Sequence, residues 1–366
     1  MFRTLVLGGY GNFGARIVRA LAADNVQTVV VAGRDAQRAQ ALAAQVGPQA
    51  EALALDASLP TLATQLREAR VDLLIHTAGP FQAQGYDVAQ ACAQARVHYI
   101  DLADGRRFVC DFPAALHDAF VRAGRSAVSG ASTVPALSSA VVAALTAGWR
   151  EVHTIDICIA PAQSAPRGVA TMAGVLSYCG APIQVWQQGR WQTQIGWAAP
   201  APVDFARMRP RRGALCDIPD LELLPAHFGV TDRVMFRAAL EVPLSQTTFA
   251  GLAWARQHGW LRRPERLAQL LHKTAPLTDW MGTALGGMVV KVTGVGANGA
   301  PGSARWDIAA DDDHGPEIPC MAAILLARRL ARGDGPPVGA HTATGLLRLD
   351  EFQPEFARWG MVTDCA

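Results

Sequence analysis

The chain has 366 residues, half of them apolar and 17% charged, which is length enough for two domains and too apolar for a disordered chain. Thirty-three Lys and Arg against 31 Asp and Glu leave a formal charge of +2, so the basic field of a sequence-independent nucleic-acid binder is missing and no nucleic-acid partner is expected. Seven scattered cysteines without a C-x-x-C pair and nine histidines without H-E-x-x-H spacing argue against a disulfide framework and a zinc site; reduced thiols, a cytoplasmic location and no metal are the expectations.

The first apolar run, residues 3 to 7, follows Met1 without a secretory leader, and no stretch of 18 apolar residues occurs, so no membrane span is expected. Gly8-Gly9-Tyr10-Gly11-Asn12-Phe13-Gly14 comes next, and Ala15 to Leu21 has helical spacing, which reads as strand, tight turn, helix. Val29-Val30-Val31-Ala32 ends at Gly33-Arg34-Asp35 before an Ala/Arg/Gln-rich helix to about Gln45, completing one βαβ unit. Strands at 52–55, 71–76, 98–101 and 126–129 then alternate with helices over about 59–69, 86–95 and 113–123. Near-continuous apolar strands alternating with helices predict an α/β fold whose N-terminal Rossmann domain is a doubly wound parallel sheet covered on both faces.

The texture changes after about residue 130. All nine tryptophans lie from Trp149 onward, marking either core or an apolar substrate pocket. Ile183–Gln187 and Trp191–Ile195 flank the turn Gln188-Gly189-Arg190, and Met288–Val292 faces Ala304–Ile308 across a glycine-rich loop; both read as hairpins of a second, mixed α/β domain. A last helix is expected from Ile318 to Arg332, stopped by Gly333. The expected division is 1–130 for cofactor binding, 131–315 for substrate and dimerisation, and 316–366 as a C-terminal helical segment.

Gly9-x-Gly11-x-x-Gly14 stands between a strand and a helix, where the first glycine permits the turn, the second admits a pyrophosphate and the third lets helix and strand pack. Tyr10, Asn12 and Phe13 complete that loop. An NAD-preferring site places an acid at the end of the second strand; here Ala32-Gly33-Arg34 stands instead. Arg34, with Gly33 leaving room, Asp35 beside it and Arg38 one turn on, suits the 2′-phosphate of NADP (NADPH). Asp56, followed by Ala57, either accepts from an adenine amino group or caps a helix. Thr77-Ala78-Gly79-Pro80-Phe81 closes the fourth strand at the edge where doubly wound sheets bind ligands.

These segments, together with His98-Tyr99-Ile100-Asp101-Leu102-Ala103-Asp104 and Ser129-Gly130-Ala131-Ser132-Thr133-Val134-Pro135, resemble the saccharopine dehydrogenase-like family of NADP-binding oxidoreductases over about residues 1–140. Gly315-Pro316-Glu317-Ile318-Pro319 is similar to the family's C-terminal part. The resemblance implies a Rossmann domain, an inserted α/β domain that closes over the cofactor, and a C-terminal helix returning to the first domain. Relatives of this kind reduce imines, and others are assigned to lipid enoyl reduction.

Hydride transfer needs orientation and a proton donor, since the cofactor carries the difficult chemistry. No tyrosine has a lysine four residues later, so the Tyr-x-x-x-Lys solution is absent. Tyr99 and Asp101, at the end of the fifth strand, are the catalytic candidates; Asp101 acts either as acid or base or as a holder of loop amides. Asp104, Arg106, Ser132 and Thr133 are candidates for substrate contact, Gly130 and Ala131 for the nicotinamide, and Ser132 or Thr133 alternatively for a helix cap. Arg167, Arg209, Arg211 and Arg212 are carboxylate binders or solvated surface charges. The reading is an NADP(H)-dependent oxidoreductase acting on a C=N or C=O bond of a small molecule, with a homodimer expected. The alternatives are reduction of an activated C=C bond, or a non-catalytic NADP-binding sensor or scaffold.

Overall fold

The computed structural model describes residues 1–166 and 168–366. Strands and helices alternate through the first third: β1 (Phe2–Leu7), α1 (Asn12–Ala23), β2 (Gln27–Gly33), α2 (Ala36–Val46), β3 (Ala50–Ala54), α3 (Leu62–Glu68), β4 (Leu73–His76), α4 (Asp87–Ala95), β5 (His98–Asp101), α5 (Arg106–Ala123) and β6 (Ser126–Ser129). The central strands are apolar on both faces, as Leu5, Val6, Val29, Val31, Leu74 and Ile75 are all buried, so helices must cover both sides. α1 does so with Ile17, Val18 and Leu21.

The chain continues through α6 (Ser138–Leu145), β7 (Glu151–Ala160), α7 (Val169–Tyr178), β8 (Pro182–Gln187), β9 (Arg190–Ile195), β10 (Ala201–Val203), β11 (Arg211–Leu215), α8 (Asp220–Phe228), β12 (Arg233–Ala239), α9 (Pro243–Gln257), α10 (Ala268–Thr274), β13 (Gly286–Val295) and β14 (Pro301–Ala310). It ends with α11 (Ile318–Ala331), β15 (Gly339–Thr342), α12 (Leu349–Arg358) and β16 (Val362–Cys365). Two sheets result. The first has the order β15-β6-β5-β4-β1-β2-β3 and all its neighbours are parallel. The second has nine strands, with β10-β11-β12-β7-β13-β14-β16 along its main path; β12 and β7 are parallel and the other neighbours antiparallel. Both expected hairpins are present, β8 with β9 and β13 with β14, the first turning through Gln188 and Gly189 at φ +55° and +66°.

Two compact units follow, one of residues 1–136 with 317–347, the other of 137–316 with 348–366. The tail after Leu347 therefore departs from the expected C-terminal segment 316–366. It closes the second unit, because β16 pairs with β14 and Phe356 of α12 packs 6.1 Å from Trp306 of β14. Ile318–Ala331 is not the last helix either. α12 carries buried Phe352 and Phe356 one turn apart, and its internal Pro354 hid it. α5 likewise starts at Arg106, seven residues before the expected Pro113, since Phe108, Val109 and Phe112 extend the buried stripe of Leu116 and Phe120 past the proline.

Candidate nucleotide-binding site

All the candidate cofactor residues of the first unit lie at one edge of its sheet, the carboxyl ends of β1 to β6, and adjacent strands bring them together. The turn after β1 is built so that only glycine fits. Gly8 has φ +78°; a Cβ on Gly9 would stand 2.8 Å from the Val6 carbonyl oxygen, and one on Gly14 would fall onto the Gly8 carbonyl and 2.9 Å from Gly9 Cα. Gly8 N and Gly9 N both donate to Ala32 O, at 2.9 and 3.1 Å, tying the turn to β2. No side chain caps α1, so its N-terminal dipole faces the turn uncompensated, the geometry that receives a phosphate. The cradle fits a dinucleotide.

At the end of β2 the structure corrects one expectation. The space beside Gly33 is filled by Tyr10, whose ring atoms would stand 2.6 Å from a Cβ there. The Tyr10 hydroxyl accepts from Asp35 N at 3.0 Å, and the Arg38 guanidinium lies over the ring, 4.6 Å from its centroid. Asp35 caps α2 by accepting from Arg38 N. Arg34 is exposed and, among the described residues, forms no ion pair. Asp56 accepts from the Ser58 amide and hydroxyl at 3.0 and 2.7 Å; these bonds, with Arg34 adding to them, hold its carboxyl below the usual range. It forms an Asx turn instead of capping α3, and Ala57 lies in that turn.

Thr77 Oγ1 donates to Leu7 O at 2.8 Å, fastening the 77–81 loop to β1. Gln84 Nε2 donates to the Ala78 and Pro80 carbonyls at 2.8 and 3.0 Å. Phe81 is buried against the His76 ring.

Tyr99 and Asp101 are both fully buried. Asp101 Oδ1 accepts from Gly130 N at 2.8 Å, Ala103 N at 2.9 Å and Ser129 Oγ at 3.0 Å, and Ala131 N donates to the Asp101 carbonyl. The geometry is therefore that of a carboxylate holding loop amides. Burial pushes its pKa up to about 6 against those donors. Behind it, Tyr99 OH lies 3.2 Å from His76 Nδ1; burial raises the Tyr99 phenol well above its ordinary value and lowers His76 to about 4. His76 is not among the candidates that the sequence offers, although it is a polar residue ending an otherwise apolar strand, as Asp101 is the polar end of β5.

Asp104 is exposed and accepts from Gln82 Nε2 at 3.0 Å. Arg106 is buried in the first turn of α5 and not in a loop. Ser132 is buried, its amide bonded to Gly130 O, and Thr133 is half-buried. Neither caps α6, which begins at Ser138 without a side-chain cap. In the second unit, Arg211 is buried and donates to the Pro161 and Leu285 carbonyls, Arg212 donates to Pro200 O and Arg209 is exposed; Arg167 lies outside the described residues.

Residues 4–129 match the family model described as the saccharopine dehydrogenase NADP binding domain. No curated protein sequence matches significantly. Among solved structures, the apo saccharopine dehydrogenase (L-Glu forming) of Saccharomyces cerevisiae is similar over 100% of both chains, at 12% identity and a TM-score of 0.70. A mutant meso-dapdh of Clostridium tetani E88 covers 98% of this chain and 99% of its own, at 13% identity and a TM-score of 0.47. Residues 4–129 are thus similar to the saccharopine dehydrogenase NADP binding domain, and the chain's fold is that of saccharopine dehydrogenase.

Proposed function

We propose that the chain is an NADP(H)-dependent oxidoreductase that moves a hydride to or from a C=N or C=O bond of a small molecule. The observation that carries this reading is the end of β2. A glycine-rich phosphate cradle leads to a strand end with no acid, and Arg34 and Arg38 stand exposed beside it. Asp35, the nearest carboxylate, is engaged as the cap of α2. Arg34 and Arg38 would take the 2′-phosphate as charge-assisted donors, with Tyr10 as the platform that orients Arg38.

The bound nicotinamide supplies the hydride; the chain supplies position. In this reading Asp101, Tyr99 and Ser129 are positioning groups that fix the Gly130-Ala131 loop, and Asp104, Arg106, Ser132 and Thr133 are the substrate-side groups. Arg34→Ala should weaken NADPH binding at least about tenfold while leaving NADH within about twofold, measured by titration calorimetry. Equal effects on the two nucleotides would overturn the cofactor assignment. Consumption of NADPH against a panel of imines, ketones and enals then separates C=N or C=O reduction from C=C reduction.

A further inference from the structure

Among the tryptophans, Trp197 and Trp306 are core, 1% and 3% exposed, whereas Trp191, Trp254, Trp260 and Trp280 are 46%, 48%, 76% and 81% exposed. These last three stand in one stretch, residues 243–281, which holds α9, α10 and two 3-10 turns. The same stretch exposes Leu244, Leu270 and Leu277. α9 buries Gln246, Phe249 and Ala253 on one side and shows Leu244, Gly251 and Trp254 at helical spacing on the other. Large rings held in water mark a surface that something covers.

Charge says what. Residues 243–281 contain five basic residues (Arg256, Arg262, Arg263, Arg266, Lys273) and two acidic ones (Glu265, Asp279), a net +3 on a chain whose total is +2. Arg262, Arg263, Arg266 and Lys273 are exposed and, among the described residues, paired with no carboxylate. Asp279 is half-buried and accepts from Gln163. The rings are prepared for an apolar medium: Trp280 Nε1 donates to Leu277 O at 2.9 Å, so its N–H needs no water, and Trp254 and Trp260 meet edge to face at 5.0 Å.

Exposed indole and leucine side chains that alternate along residues 243–281 with unpaired cations match in composition the headgroup zone of an anionic bilayer, where rings enter the acyl boundary and cations meet phosphates. A second copy of this chain fits less well, because a two-fold contact would set the same positive surface against itself. No described helix is long and apolar enough to cross a membrane, so the surface would lie on a bilayer and not span it. We propose that residues 243–281 form an interfacial docking surface for an anionic lipid bilayer.

The test is sedimentation of the full chain with vesicles of phosphatidylcholine alone and of phosphatidylcholine with phosphatidylglycerol, at low and physiological salt. Binding to the anionic vesicles, weakened by salt and near absent on the neutral ones, is expected. The double variants Trp260→Ser/Trp280→Ser and Arg262→Glu/Arg263→Glu should each lower the partition at least about tenfold, with wild-type thermal unfolding and NADPH affinity because the altered side chains are exposed. Three results would overturn the proposal: no binding to the anionic vesicles, binding that both variants leave unchanged, or a wild-type dimer in solution that the tryptophan variant dissociates.

Discussion

Asp101 ends β5 with a carboxylate sealed from water, and its neighbour His76 is an imidazole sealed in the same way. Their titrations run in opposite directions. Asp101 rises from an ordinary 3.8 to about 6 through burial, so between those values the folded protein keeps a proton that the unfolded chain has lost, and stability falls as pH rises through the window. His76 falls from 6.5 to about 4 through burial; the unfolded chain takes up its proton first, so the stability tied to His76 is present above pH 6.5 and is lost as pH falls toward 4. The two partly cancel in the wild type. Asp101→Asn keeps an acceptor for the Gly130 and Ala103 amides and removes one titration, so its cost in stability should be larger at pH 4 than at pH 7 by about 2 kcal/mol. Urea unfolding of both proteins at the two pH values measures this, and a difference independent of pH would mean that Asp101 is ionised throughout. From the sequence, Asp101 stood open between proton transfer and loop support. Three donors meet one of its oxygens, a geometry that depends on β6 lying beside β5 and that spacing alone does not give.

At the scale of the element, glycines with the same lack of side chain have opposite effects. Gly14 sits where α1 crosses the β1 turn, and a Cβ there meets backbone of Gly8 and Gly9. Gly251 sits on the exposed side of α9 with nothing within 4 Å of an added Cβ. Gly14→Ala should therefore force α1 off the sheet, costing about 1–3 kcal/mol of stability and most of the NADPH affinity, whereas Gly251→Ala should stabilise by about 0.5–1 kcal/mol through chain entropy and helix propensity. Thermal unfolding and nucleotide titration of the two variants check both signs. The first six strands were legible because β1, β2 and β4 contain short apolar runs bounded by turn residues and β3, β5 and β6 recur between helices at the same spacing. α12 and the start of α5 were not, since a proline inside a helix reads as a boundary until the buried phenylalanines on both sides of it are seen to share one face. The four residues of β15 carry no alternation at all and become a strand only because β6 offers them a partner.

At the scale of the whole molecule, the nucleotide-binding unit is discontinuous in sequence. Residues 317–347 supply it with α11 and β15. α11 lies along α1, with Cys320 donating to Phe13 O, Arg328 in a two-point ion pair with Asp24 at 2.7 and 3.0 Å, and Arg16 paired with Glu317 at 2.9 Å. It buries Met321, Ile324, Leu326 and Leu330. At about 1.5–3 kcal/mol for each large apolar side chain, those four alone contribute an amount comparable to the 5–15 kcal/mol that separates a folded domain from its unfolded chain. Without β15, β6 would also become an open edge. Residues 1–136 on their own should therefore show no cooperative melting transition and no NADPH binding, although they contain every glycine of the cradle and both arginines. Joining 317–347 to them through a flexible linker should restore both, followed by circular dichroism on heating and by nucleotide titration. Cooperative melting of 1–136 alone would place the stability of the unit in its first six strands; failure of the joined form to bind would show that the cradle needs more than its own unit to take shape.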